Sequence, residues 1–159
     1  MRKFFLLCVA ALLLSQAASA QSVGEPYGSG CAVEYTAGWQ DGEPCLSVVV
    51  SSRAQVLDEA PVLLLKTFGG RVIRSEGRKI AFWTIRGGET KDDGEFEPST
   101  LLRTVARFHL TGEEVELLGE GIAKIRLSTF PQTYESSYRR DRIGRKLYDS
   151  FRDAAGRAF

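Results

Sequence analysis

The 159-residue sequence contains no Asn, one His, one Met and three Cys. Without Asn it has no acceptor for N-glycosylation. One His and three scattered Cys cannot form the short-spaced four-ligand cluster of a zinc site. His109 is the only imidazole from which a nucleophile–base pair could be built. No Gly-x-Ser-x-Gly elbow occurs, since Gly28-Ser29-Gly30 has the wrong spacing. Gly87-Gly88 lacks the flanking Gly, Lys and Ser/Thr of a phosphate loop. No metal or cofactor is therefore expected. Charge of one sign is also missing. The 21 basic and 20 acidic side chains leave a formal +1, without the broad positive field of a dedicated nucleic-acid binder. What is present is a hydrophobic content of 43%, too high for a disordered chain. The 16 Gly and 5 Pro are too few for a collagen-like or linker-like one. The length suits one domain.

The longest apolar run lies at the start. Met1-Arg2-Lys3 is followed by an unbroken apolar stretch at 4–14, then Ser15-Gln16, then Ala18-Ser19-Ala20 before Gln21. A basic start, a short apolar centre and a small-x-small end form a secretory signal peptide, assigned to residues 1–20. As a helix, 4–14 would rise only about 16 Å against a hydrocarbon core of roughly 30 Å. The bulky Leu7 before Cys8 argues against lipoprotein processing. Cleavage after Ala20 leaves 139 residues with 19 basic and 20 acidic side chains, a formal −1, and no transmembrane segment. A periplasmic or secreted location follows. Cys31 and Cys45 are then the only cysteines, in an oxidising compartment. A disulfide between them would close a loop rich in turn formers (Gly38, Asp41-Gly42, Pro44), worth roughly 3 kcal/mol.

Residues 21–30 read as a flexible Gly/Ser-rich lead-in, and 31–159 as a single domain. The β-branched run 45–52 predicts a strand. Residues 62–68 and 71–74 flank Gly69-Gly70 as a β-hairpin. A third run, 79–86, carries Ile80, Phe82, Trp83 and Ile85 and stops at Gly87-Gly88, with Trp83 expected in the core. Segment 87–100 has no apolar periodicity and holds Glu89, Asp92, Asp93, Glu95 and Glu97 against Lys91. It reads as a solvated acidic loop, since the alternating ligands of a calcium loop are missing. In 101–110, Leu102, Thr104, Ala106, Phe108 and Leu110 share one face, with a mostly polar set opposite. Thr111 and Glu114 form a capping box for a short helix that ends at Gly119–121. Strand 122–127 turns Lys124 and Arg126 outward, and Pro131 breaks the chain. Stepping by 100° from Ile143 gathers Leu147, Phe151, Ala154 and Ala158 on one side, with a charged face opposite. Asp141 and Arg145 have the spacing of a supporting ion pair. The fold class expected is α+β: a mostly antiparallel sheet with a short helix and a C-terminal amphipathic helix packed on it.

Segments 107–127 and 134–151, together with the 66–73 hairpin, resemble small exported proteins of Bacteroidetes-type bacteria that have no assigned activity. The resemblance follows a strand, a short acidic-start helix, a Gly-x-x-Lys-Ile-Arg strand (here Gly121-Ile122-Ala123-Lys124-Ile125-Arg126) and a basic amphipathic helix. It implies a Gram-negative envelope setting and carries no catalytic residues across.

Two functional readings follow. In the first, residues 136–159 carry seven basic side chains against three acidic ones. The helix face of Arg142, Arg145, Lys146 and Arg152, with Tyr134 and Tyr138 a helical turn apart at its edge, would dock an acidic envelope protein, an anionic glycan or a lipid headgroup. The competing view is a solvated helix laced with local ion pairs. Arg outnumbers Lys fifteen to six, which favours planar contacts with carboxylate or phosphate. Trp39, Trp83 and Tyr148 are further candidates for stacking on sugars. In the second reading the protein is a cysteine-dependent hydrolase or transferase, with Cys31 as nucleophile and His109 as base. That requires Cys31 to escape pairing with Cys45. The first reading, a non-enzymatic binding module of the cell envelope, is the one expected.

Overall fold

The computed structural model describes residues 22–24 and 31–157. The proposed signal peptide and the rest of the lead-in lie outside the described residues. Strands β1 (Ser22–Gly24), β2 (Cys31–Gln40), β3 (Glu43–Ser52), β5 (Val62–Thr67), β6 (Val72–Thr90), β7 (Phe96–His109), β8 (Ile122–Leu127) and β10 (Tyr134–Ser137) form one sheet. Their order is β1-β2-β3-β7-β6-β5-β8-β10, and every pairing is antiparallel. A two-residue strand β4 (Val56–Leu57) pairs with β9 (Thr129–Phe130) to one side. Helices α1 (Gly112–Leu118) and α2 (Gly144–Arg157) complete an α+β fold.

The alternating patterns explain the layering. Val33 and Tyr35 on β2, Leu46, Val48 and Val50 on β3, and Ala106 and Phe108 on β7 are all fully buried on one face. On that face Ile143, Leu147 and Phe151 of the C-terminal segment join Val115 and Leu118 of α1 in the same core. The predicted apolar sector of α2 is thus its packing face, with Ala154 half-buried and Ala158 outside the described residues. Trp39 fastens the helix to β2. Its indole N–H donates to the Phe151 carbonyl at 3.1 Å, and its ring meets that of Phe151 edge-on at 6.5 Å.

The β2–β3 hairpin turns at Asp41-Gly42, both at positive φ, the geometry of a two-residue turn that matches strand twist. The 66–73 hairpin forms as expected, with Thr67 N–H donating to Arg71 O at 2.8 Å. Thr111 and Glu114 make the full capping box.

Segment 87–100 is not a loop. β6 runs unbroken from Val72 to Thr90: its first residues pair with β5, and Gly77 onward pairs with β7. A bulge at Ile80, between the Lys79 and Ala81 rungs, bends the strand. The remainder projects as a two-stranded arm. Among the described residues, 81–90 have β7 as their only partner, and 85–90 and 96–101 pair only with each other. Both faces meet solvent, so no burial pattern marks the arm in the sequence, and the short polar turn at its tip resembles any loop. Trp83, expected in the core, is half exposed on this arm.

Candidate functional site

The register of the sheet overturns the cysteine chemistry. Cys31 stands opposite Ser52, and Cys45 opposite Gly38. The two cysteines lie at opposite ends of the hairpin, seven residues or about 23 Å apart along β2, whereas a disulfide requires Cα atoms within roughly 7 Å. The expected Cys31–Cys45 bridge is therefore absent, because the intervening residues form paired strands and not a closed loop.

The same register separates Cys31 from His109, which stands opposite Cys45 on β7. Cys45 is buried, and burial pushes its thiol pKa up against the opposing influence of Arg107. A raised pKa disfavours the attacking thiolate. His109 does open onto a shallow cleft of about 540 Å³ shared with Gln40, Arg78 and Arg107. There Arg107 donates to Gln40 Oε1 at 2.8 Å, and no Cys, Ser or Thr lines the cleft. Among the described residues, no three His, Cys, Asp or Glu side chains converge as a metal site. No helix among them is long and apolar enough to cross a membrane.

The basic segment gives a different result. A groove of about 550 Å³ lies between the β5–β6 turn and the start of α2, lined by Phe68, Glu120, Asp141 and the cations Arg139, Arg140, Arg142, Arg145 and Lys146. Its walls are held by local chemistry. Phe68 N–H donates to Gly121 O at 3.1 Å. Thr67 Oγ1 donates to Glu120 at 2.7 Å, and Arg71 pairs with the same carboxylate.

Asp141 joins the start of β8 to the start of α2. Its Oδ1 accepts from Ile122 N–H at 2.9 Å and Gly144 N–H at 2.8 Å, with Ile143 N–H at 3.3 Å; its Oδ2 accepts from Arg145 N–H at 2.9 Å. Partial burial alone would raise its pKa, but these four donors outweigh burial and hold the carboxyl below its ordinary value. The expected Asp141–Arg145 ion pair is therefore replaced by a helix cap, because the carboxylate is aimed at backbone N–H groups. Two glycines permit this close join. A Cβ at Gly144 would lie 2.7 Å from Ile122 N and 2.8 Å from Leu118 O. Gly121 has φ +81°, and a Cβ there would lie 2.8 Å from Asp141 Cβ.

Asp141 is engaged by backbone and Glu120 by Arg71, and the five groove cations form no ion pair among the described residues. The ion pairs of the described residues use Arg71, Arg74, Lys79, Lys91, Arg103, His109, Lys124 and Arg126, and none of the five. The competing view of a helix laced with local ion pairs does not describe this end of α2.

Of the expected binding residues, Arg142, Arg145 and Lys146 thus converge on one groove. Arg152 lies elsewhere: its guanidinium sits 5.6 Å above the Tyr148 ring and donates to Tyr148 Oη at 3.2 Å, while Tyr148 Oη donates to Glu116 on α1 at 3.1 Å. Tyr134 and Tyr138 are not a helical turn apart. Tyr134 opens β10, where Glu135 bridges Arg126 and Lys124 across to β8. Alternation there turns both tyrosines toward the core. Burial raises the Tyr134 pKa against a hydrogen bond from Ser136, and Tyr138 Oη is buried. Arg139 and Arg140 extend the site and were legible as the start of the basic run Arg139-Arg140-Asp141-Arg142. Phe68 arrives through a turn 70 residues earlier and had no local signal.

No protein-family model matches the chain, and no curated protein or solved structure is significantly similar to it.

Proposed function

We infer that this chain is an exported, non-enzymatic interaction module of the cell envelope that grips an anionic group in the Arg139–Lys146 groove. The observation that carries this reading is the convergence of five cations, none with an acidic partner among the described residues, around a half-exposed aromatic ring. Guanidinium groups suit planar bidentate contacts with carboxylate, sulfate or phosphate, and Phe68 offers an apolar floor for the part of the ligand that carries the charge. Residues 1–20 support export. The separation of Cys31 from His109 argues against the hydrolase alternative.

The double variant Arg142→Glu/Arg145→Glu tests this reading. Position 145 lies in the first turn of α2 and position 142 just before it, where negative charge favours the helix dipole, so the fold is expected to survive. The wild-type protein should bind a heparin hexasaccharide, a poly-glutamate peptide or phosphatidylglycerol vesicles at about 50 mM NaCl, and release the probe as salt rises. The double variant should bind at least ~10-fold more weakly, whereas Arg152→Glu, outside the groove, should bind as wild type. Absence of binding to all three probes, or equal loss in both variants, would remove this reading.

A further inference from the structure

The β6–β7 arm is the most unusual surface of the molecule. Every residue from 82 to 98 is exposed. Large apolar side chains stand in water on both faces: Phe82 at 53%, Trp83 at 50%, Ile85 at 45% and Phe96 at 61% exposed. A two-stranded ribbon is only marginally stable alone in water, and apolar side chains clustered in solvent mark contact surfaces. The tip is acidic. Glu89, Asp92, Asp93, Glu95 and Glu97 face only Lys91, which pairs with Glu97 at 3.1 Å.

The groove is the complement of this tip. It offers five cations beside Phe68, itself 45% exposed, where the tip offers five acids beside Phe96. The arm cannot reach the groove of its own chain. Phe68 lies in the turn that begins β6, and the acidic tip lies where β6 ends, 19 residues later. At about 3.3 Å per residue the two are up to roughly 60 Å apart.

We propose that the anionic partner of the groove is the acidic tip of the arm of a second copy of this chain, in a closed two-fold dimer. The proposal rests on the groove being an anion site. Strand β6 acts as a ruler within it: a two-fold axis across the middle of the strand, near the Ile80 bulge, matches the tip-to-groove spacing of both copies. Each tip then meets the other's groove, and the contact closes without open-ended polymerisation. The near-neutral total charge imposes little repulsion between copies.

Charge exchange between the two surfaces tests this by sedimentation equilibrium. Wild type should be dimeric at micromolar concentration in about 50 mM NaCl and dissociate at about 500 mM. The tip variant Glu89→Lys/Asp92→Lys/Glu95→Lys and the groove variant Arg139→Glu/Arg142→Glu/Arg145→Glu should each dimerise at least ~10-fold more weakly. An equimolar mixture of the two should dimerise again, because both contacts are then between opposite charges. Circular dichroism would establish that both variants are folded. A wild type that stays monomeric at high concentration and low salt, or a mixture that stays monomeric, would overturn the dimer. If wild type is monomeric yet its groove binds heparin and the groove variant does not, the groove reading stands and the second copy falls. If neither dimer nor probe binding occurs, both fall.

Discussion

At the scale of single residues, the site depends on Asp141. A carboxylate at the head of a basic segment reads naturally as an ion-pair partner, yet here it accepts four backbone N–H bonds and fixes β8 to α2. Because its pKa in the fold lies below the ordinary 3.8, the charged form stabilises the fold fully above that value. The contribution is lost as pH falls through the lowered folded value. Asp141→Ala should therefore cost about 1–2 kcal/mol at neutral pH, the range of a lost helix cap. The gap between wild type and variant should narrow in urea denaturation at about pH 3. A gap that does not change with pH would mean that the carboxylate's charge plays no part. The cysteines make the opposite point: two thiols close in sequence invite pairing, but strand register places Cys31 and Cys45 at opposite ends of a hairpin.

At the scale of elements, legibility follows burial. The 101–110 strand, the capped helix α1, the Gly69-Gly70 hairpin and the packing face of α2 were readable because each alternates between core and solvent with its own period. The arm was not, because a ribbon with both faces in water has no such contrast. Strand β2 was hidden by its Gly, Thr and Gln residues, and β10 by a tyrosine spacing that fits a helix turn equally well. The arm's independence from the core has a direct consequence. Replacing residues 87–99 by a two-residue Asn-Gly turn between Arg86 and Thr100, which are paired in the arm, should shift folding stability by less than about 1 kcal/mol. Urea denaturation measures this, and a loss of several kcal/mol would place the arm in the cooperative core.

At the scale of the whole molecule, a formal charge near zero conceals a separation. The acid lies at the far end of β6 and the base at its near end, beside the 68–71 turn. The basic half of this division was legible as seven cations in 136–159, since Arg139, Arg140, Arg142, Arg145 and Lys146 are close in sequence. Phe68, Glu120 and the distance between the two poles come from topology, which no local pattern encodes. The account therefore turns on whether the groove is a site or merely a charged surface. Amide chemical-shift mapping of the isotopically labelled protein, titrated with a heparin hexasaccharide at about 50 mM NaCl, addresses this most directly. The account predicts shifts concentrated at Phe68, Glu120 and residues 139–146, and reversed at high salt. Shifts of equal size at Lys124, Arg126 and Arg152, or no shifts at all, would contradict it.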